Sequence, residues 1–362
     1  MRSIFIHSFL LSKELRKTVY LGSLSVLLII AIILSLSTGV FSISASEIWS
    51  IILYKLNVID GTQLFSKQQE VILWNIRLPR VLLAVLIGGA LGVSGASLQG
   101  LFRNPLVEPG LIGVSGGAAL FAAIAIIFGG SISFLSSLAL PGSYFVSICA
   151  FAGALLASII VFYIGGTGSG SSVSILILAG VAINALCMAL IGLCIYYAND
   201  ESIRQFTFWS LGDLGGASWE RIGLSIPLIL LPSLALLRFQ RALNAFALGE
   251  NEAYHLGIKV KTIRIWIIAL VALAVGSAVA VAGSIGFIGL VVPHMLRAIL
   301  GPDHSFILPG SLLFGALLLL LADLLARTIV APSEIPIGVI TALLGAPFFL
   351  GLLIQAKRKN TL

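Results

Sequence analysis

From Pro109 through Asn199 the chain carries no Asp, Glu, Lys or Arg. A stretch without charge cannot dress a surface that faces water. A membrane-crossing helix takes roughly 20 apolar residues, so the stretch accommodates three crossings joined by short turns. Further charge-free runs cover Val81–Phe102, Ile222–Leu237, Ile265–Leu296, Ser305–Ala322 and Ile335–Ala356. Charged residues make up 10% of the chain, against about 25% in a typical soluble domain. The runs are apolar all round, without the polar face of an amphipathic helix or the alternation of a membrane β-barrel strand. The fold class is therefore all-α, a polytopic membrane protein read as a single transmembrane domain over residues 1–362.

Ten crossings fit the pattern, at about 18–38, 80–101, 110–130, 144–165, 174–197, 220–238, 263–283, 287–301, 306–329 and 335–356. A long polar segment, about 39–79, separates the first two. The N-terminal apolar run exceeds a signal-peptide core and reads as a retained helix. Helix eight is short, and Gly283, Gly286 and Gly289 before it suggest either a broken helix lining a cavity or a tight interfacial turn. With the N-terminus inside, fourteen of the 21 Lys and Arg residues fall on the inner side and seven on the outer. That bias follows the positive-inside rule and puts both termini in the cytoplasm. It accounts for the +7 net charge through anionic lipid, with no nucleic acid needed. Gly88, Gly92, Ala96 and Gly100 form one small-residue stripe, and Gly276, Ala280 and Ser284 another. Such stripes allow close helix packing.

Catalytic and metal-site patterns are missing. Gly165 to Ser172 resembles a phosphate loop, but Ser171 stands where the lysine is required. Cys149, Cys187 and Cys194 fall in apolar runs and imply no disulfide framework. Of the four histidines only His294 lies in an apolar segment, where a structural role is expected. No catalytic residue, metal site or chain-bound cofactor is expected.

The remaining charges suggest two contact regions. Arg77 and Arg80, in Arg77-Leu78-Pro79-Arg80, and Arg327 stand at the outer ends of their helices. Asp323 is placed to pair with Arg327 one turn on. These arginines could grip carboxylates of a partner by bidentate bonds or snorkel at the interface. On the inner side, Asn244 to Ile258 reads as a short helix. Glu250 and Glu252 near its start suit the helix dipole, and Gly257 is a natural stop.

These segments together resemble the FecCD-type permease subunits of bacterial ABC importers for iron-siderophores, haem and cobalamin. The resemblance runs from about Leu73 to Leu353. It rests on Arg77-Leu78-Pro79-Arg80, on Arg103-Asn104-Pro105-Leu106-Val107-Glu108-Pro109-Gly110 with the following Leu111 to Ala118, and on Leu178-Ala179-Gly180-Val181. The Ala247–Gly257 segment, Gly286 to His294 and Ile335 to Pro347 complete it. The resemblance implies the type II ABC importer permease fold in the bacterial inner (plasma) membrane, surrounded by lipid. It implies a second copy of the chain, two cytosolic ABC ATPases holding ATP and Mg, and a periplasmic substrate-binding protein. It assigns Arg77, Arg80 and Arg327 to binding-protein docking. It assigns Gly249, Glu250, Glu252, Ala253, His255, Leu256 and Gly257 to ATPase coupling, and Ser171, Ser172, Val173 and Ser174 to an inner gate. Cobalamin permeases carry a hydroxyl residue where Val173 stands, which weighs against cobalamin. Glu108 to Gly113 and Leu211 to Trp219 look haem-permease-like, so haem is the expected ligand. Within transport, a siderophore or cobalamin permease is the alternative. An ion-driven secondary transporter is another, although coupling would favour intramembrane acids and only Asp323 lies within an expected span. A membrane-embedded enzyme is a third, opposed by the lack of an acid-base or metal cluster.

Overall fold

The computed structural model describes residues 2–59, 64–129, 142–165 and 173–359. The elements in chain order are α1 (Arg2–Ser37), α2 (Ala45–Lys55), α3 (Lys67–Val71), a π-helical turn (Ile72–Arg77) and α4 (Leu78–Phe102). A 3-10 turn (Pro109–Ile112) leads into α5 (Val114–Phe128), followed by α6 (Gly142–Gly165), α7 (Val173–Tyr196), α8 (Asp200–Ser210) and α9 (Trp219–Leu236). The rest is α10 (Gln240–Phe246), α11 (Glu250–His255), α12 (Val260–Ala282), α13 (Ile288–Leu300), α14 (His304–Thr328) and α15 (Ile337–Lys359). No strand occurs among the described residues. Among the described residues, seven helices are long and apolar enough to cross a membrane, and Val114–Phe128, Ile288–Leu300 and Ile337–Gly351 are shorter apolar helices. These ten correspond one for one to the ten expected segments.

The bundle is built round α4, which is buried on nearly every side. Its glycines explain why. A Cβ at Gly88 would strike the Gly315 carbonyl, one at Gly92 the Ser311 carbonyl, and one at Gly95 the Gly289 carbonyl. α14 and the start of α13 thus lie backbone to backbone against α4, the close approach that small residues permit. Along the second stripe a Cβ at Gly276 would sit 3.2 Å from the Ala154 side chain, so α12 packs closely on α6.

α12 and α13 are separated by a break. The backbone turns at Gly283 (φ +72°) and Phe287 (φ +68°), and α13 begins without a side-chain cap. The Ala282 carbonyl at the break is taken by the loop after α8, and the carbonyls of that loop are taken by the start of α15. Asp213 N–H donates to Ala282 O at 2.9 Å, Ile337 N–H to Gly212 O at 3.2 Å and Gly338 N–H to Leu211 O at 2.9 Å. Irregular backbone inside a bundle needs such partners. Of the two sequence readings for helix eight, the broken helix is the one found.

Two further helices fill stretches left as polar connections in the sequence reading. α2 starts with a full capping box, Ser44 with Glu47, and buries Ile48 and Ile51. α8 is capped by Asn199, whose side chain accepts from Ser202 N–H at 2.8 Å. It buries Phe206, which stacks on Trp209 at 6.3 Å.

Candidate functional site

The arginine motif does not present free side chains at the outer rim. Arg77, Arg80 and Arg327 are 6%, 8% and 8% exposed, and their donors are taken within the chain. Arg77 donates through Nη1 to Leu36 O at 2.6 Å and Ser37 O at 3.2 Å, and through Nη2 to Phe41 O. Arg327 donates through Nη2 to Ser35 O at 2.5 Å and Ser35 Oγ at 2.6 Å, and through Nη1 to Thr38 O at 3.2 Å. The last carbonyls of α1 have no partner within the helix, and two cations close over its negative end. Arg80 donates through Nε to Asp323 at 2.8 Å and through Nη1 to Glu334 at 2.8 and 3.0 Å. The expected Asp323–Arg327 pair is present at 3.3 Å. The three guanidinium groups are thus engaged within the chain: residues 35–41 take Arg77 and Arg327, and Asp323 and Glu334 take Arg80.

Charges that do face out line a cavity of about 700 Å³ among Glu201, Arg204, Asp213, Arg221 and Glu334, floored by Trp209 and Pro336. Arg221 also lies 5.8 Å from the Tyr144 ring centroid.

Deeper, a cavity of about 490 Å³ opens between the 3-10 turn, α7 and the α12–α13 break, with Glu108, Ser115, Asn184, Met188 and Phe287 in its wall. Its depth follows from its neighbours. Pro109 lies against Gly289 beside the Leu91 carbonyl, and Leu91 is halfway along α4. Asn184, halfway along α7, donates through Nδ2 to Gly110 O at 3.0 Å. Residues 103–109 thus climb back from the C-terminal end of α4 to mid-bundle. Both α5 and α13 begin there, so two half-length helices direct their N-termini to this level. Broken helices with midplane termini mark ligand passages in membrane transporters.

α11 lies between Gly249 (φ +137°) and Gly257 (φ +80°), backbone that favours glycine. Glu250 pairs with Arg264 on α12. Ala253 is fully buried, while Leu248, Tyr254 and Leu256 are 69%, 71% and 63% exposed. Glu252 and His255 are exposed beside them. These bared side chains form an exposed apolar patch of the kind found at protein contacts. The preceding α10 is tied to the membrane bundle. Asn244 accepts from His304 N–H at 2.8 Å and donates to Asp303 Oδ1 at 2.8 Å.

Of the four residues expected at an inner gate, Ser171 and Ser172 lie outside the described residues. Val173 opens α7 and Ser174 follows it, exposed. His294 packs edge-on to Phe348 at 6.2 Å, in the structural role expected.

A family model described as the FecCD transport family matches residues 27–355. The chain belongs to the FecCD transport family. The FecCD match begins within α1 and takes in the other nine apolar helices of the described residues, residues 103–109 and α11. Among its relatives, the hemin transport system permease protein HmuU of Yersinia pestis is 44% identical over 342 residues, 94% of this chain and 97% of that one. The vitamin B12 import system permease protein BtuC of Citrobacter koseri is 40% identical over 351 residues, 97% and 98% of the two chains. BtuC of Escherichia coli O127:H6 is 42% identical over 340 residues, 94% and 96%. A solved inward-facing structure described as a metal-chelate type ABC transporter superposes with a TM-score of 0.78 at 34% identity, covering 92% of this chain and 98% of that one. The FecCD fold of this chain is thus the permease fold of an ABC transporter, in a multi-pass membrane protein.

Proposed function

We propose that this chain is the permease subunit of an ATP-driven importer that moves haem, or a related iron chelate, from the periplasm to the cytoplasm. Two copies form the passage by alternating access at their interface. Two cytosolic ATPases, holding ATP and Mg, drive it through the Gly249–Gly257 element, and a periplasmic binding protein delivers the ligand. Both termini lie in the cytoplasm, and the chain hydrolyses nothing itself. The observation that carries the haem reading is the end-to-end 44% identity to a hemin permease. The geometry supports the transport reading independently, through a mid-bundle cavity at two broken helices and an inner helix with bared apolar side chains.

Arg77, Arg80 and Arg327 would serve docking by stiffening the outer rim, since their guanidinia are already engaged. Ser171, Ser172, Val173 and Ser174 would close the passage from inside.

The vitamin B12 relatives at 40% and 42% identity favour cobalamin as a second reading. Liposomes containing the permease, its ATPase and its binding protein decide between them. With haem, a ferric siderophore and cobalamin offered in turn, ATP-dependent uptake of haem is expected. Uptake of cobalamin without haem would overturn the choice of ligand.

A further inference from the structure

Glu108 is the one charged residue among those lining the mid-bundle cavity. Its position next to Pro109 puts it level with Leu91 and Asn184, near the centre of the bundle. Every other acid buried among the described residues at the helix ends is matched. Asp323 meets Arg80 and Arg327. Glu108 has no hydrogen-bond or ion-pair partner among the described residues. It is half-buried, with its carboxylate on one side of Gly110, which the Ser115 hydroxyl also approaches.

An ionisable group at membrane depth is costly and marks a ligand or ion path. The rest of the wall cannot supply the missing cation. It is formed by Leu91, Met188, Ile191, Phe206, Val275 and Phe287, with neutral Ser115, Asn184, Ser210 and Ser284. What enters the cavity therefore meets a carboxyl group that the described wall leaves unpaired. A carboxylate oxygen is a hard donor suited to a hard cation. A single carboxylate without companions holds such a cation weakly, as a passage requires if ligands are to leave as readily as they enter.

We propose that Glu108 is a ligand-contacting residue of the passage, its carboxylate facing the ferric centre of the transported chelate. The proposal rests on the haem reading above. It makes Glu108 a specificity determinant for metal-loaded over metal-free ligand, separate from any choice made by the binding protein.

The test uses the full complex in liposomes, with its own ATPase and binding protein. Ferric haem and metal-free protoporphyrin share one ring and two carboxylates and differ at the centre. Their uptake rates are compared in wild type, Glu108→Gln and Glu108→Asp, always with the same binding protein. Wild type should favour haem. Glu108→Gln should lower the haem-to-protoporphyrin ratio about tenfold, the scale of one lost charge-assisted contact, by slowing haem alone. Glu108→Asp should keep most of the preference. An unchanged ratio in Glu108→Gln, or an equal loss for both porphyrins, overturns the proposal. Failure of this near-isosteric variant to assemble marks a structural role and overturns it too. A wild-type complex that moves neither porphyrin overturns the haem reading, and this inference with it.

Discussion

Asp323 is the residue whose removal should cost the bundle most. It is completely buried, and the guanidinia of Arg80 and Arg327 approach it at 2.8 and 3.3 Å. Asp323→Ala leaves both cations buried, with one carboxylate, half-exposed Glu334, still on Arg80. Breaking a buried pair by deleting one partner costs about 3–5 kcal/mol, roughly two to four orders of magnitude in the closed-to-open ratio of these helix ends. Glu334 has a side chain 47% exposed, so Glu334→Gln should cost only about 0–1 kcal/mol. Hydrogen exchange gives a local readout, because Ile335 N–H donates to Ala326 O at 2.9 Å across this corner. In Asp323→Ala that amide and those at the end of α14 should lose protection, with a large drop in thermal stability. Glu334→Gln should change little. The combination Arg80→Met, Asp323→Leu and Arg327→Met should recover much of the loss, since apolar replacement of a buried charge cluster is often tolerated. If Asp323→Ala melts and exchanges like wild type, the cluster is not holding the rim together.

Other perturbations test other levels. Gly92→Leu would drive a side chain into the Ser311 carbonyl and should separate α4 from α14, seen as loss of monodisperse protein on size exclusion. Asn244→Ala takes the acceptor from the backbone N–H of buried His304 at a cost of about 1–3 kcal/mol; a thermal melt in detergent should fall accordingly. Glu250→Lys with Glu252→Lys removes the Arg264 pair and reverses charge on α11. Co-purification of the ATPase should drop sharply, and normal co-purification would remove α11 as the contact.

Much of this architecture was legible because lipid imposes a simple rule. Each crossing must be a long apolar helix, so charge-free runs located all ten apolar helices. The small-residue stripes and the inner helix between Gly249 and Gly257 were readable for the same local reason, since glycine at positive φ or at a close contact leaves a trace in sequence. α2 and α8 were missed although Ser44 with Glu47 and Asn199 with Asp200 are ordinary start signals. Both helices lie in stretches too polar to register as crossings. The arginine motif was found but its state was not. Arg80 meets Asp323 and Glu334 more than 240 positions away, and no local pattern encodes that. Glu108 was hidden likewise. Arg103, Asn104 and Pro105 read as an ordinary inner turn, and only the packing of Pro109 on Gly289 carries the next carboxylate to mid-bundle.

The central claim is that this chain is a passive passage driven from outside itself. Uptake into liposomes carrying the purified chain, with and without its ATPase, tests that most directly. Ligand should accumulate only when the ATPase and ATP are present, and ion gradients alone should move none. Accumulation on a proton or sodium gradient by the purified chain without any ATPase would contradict the account.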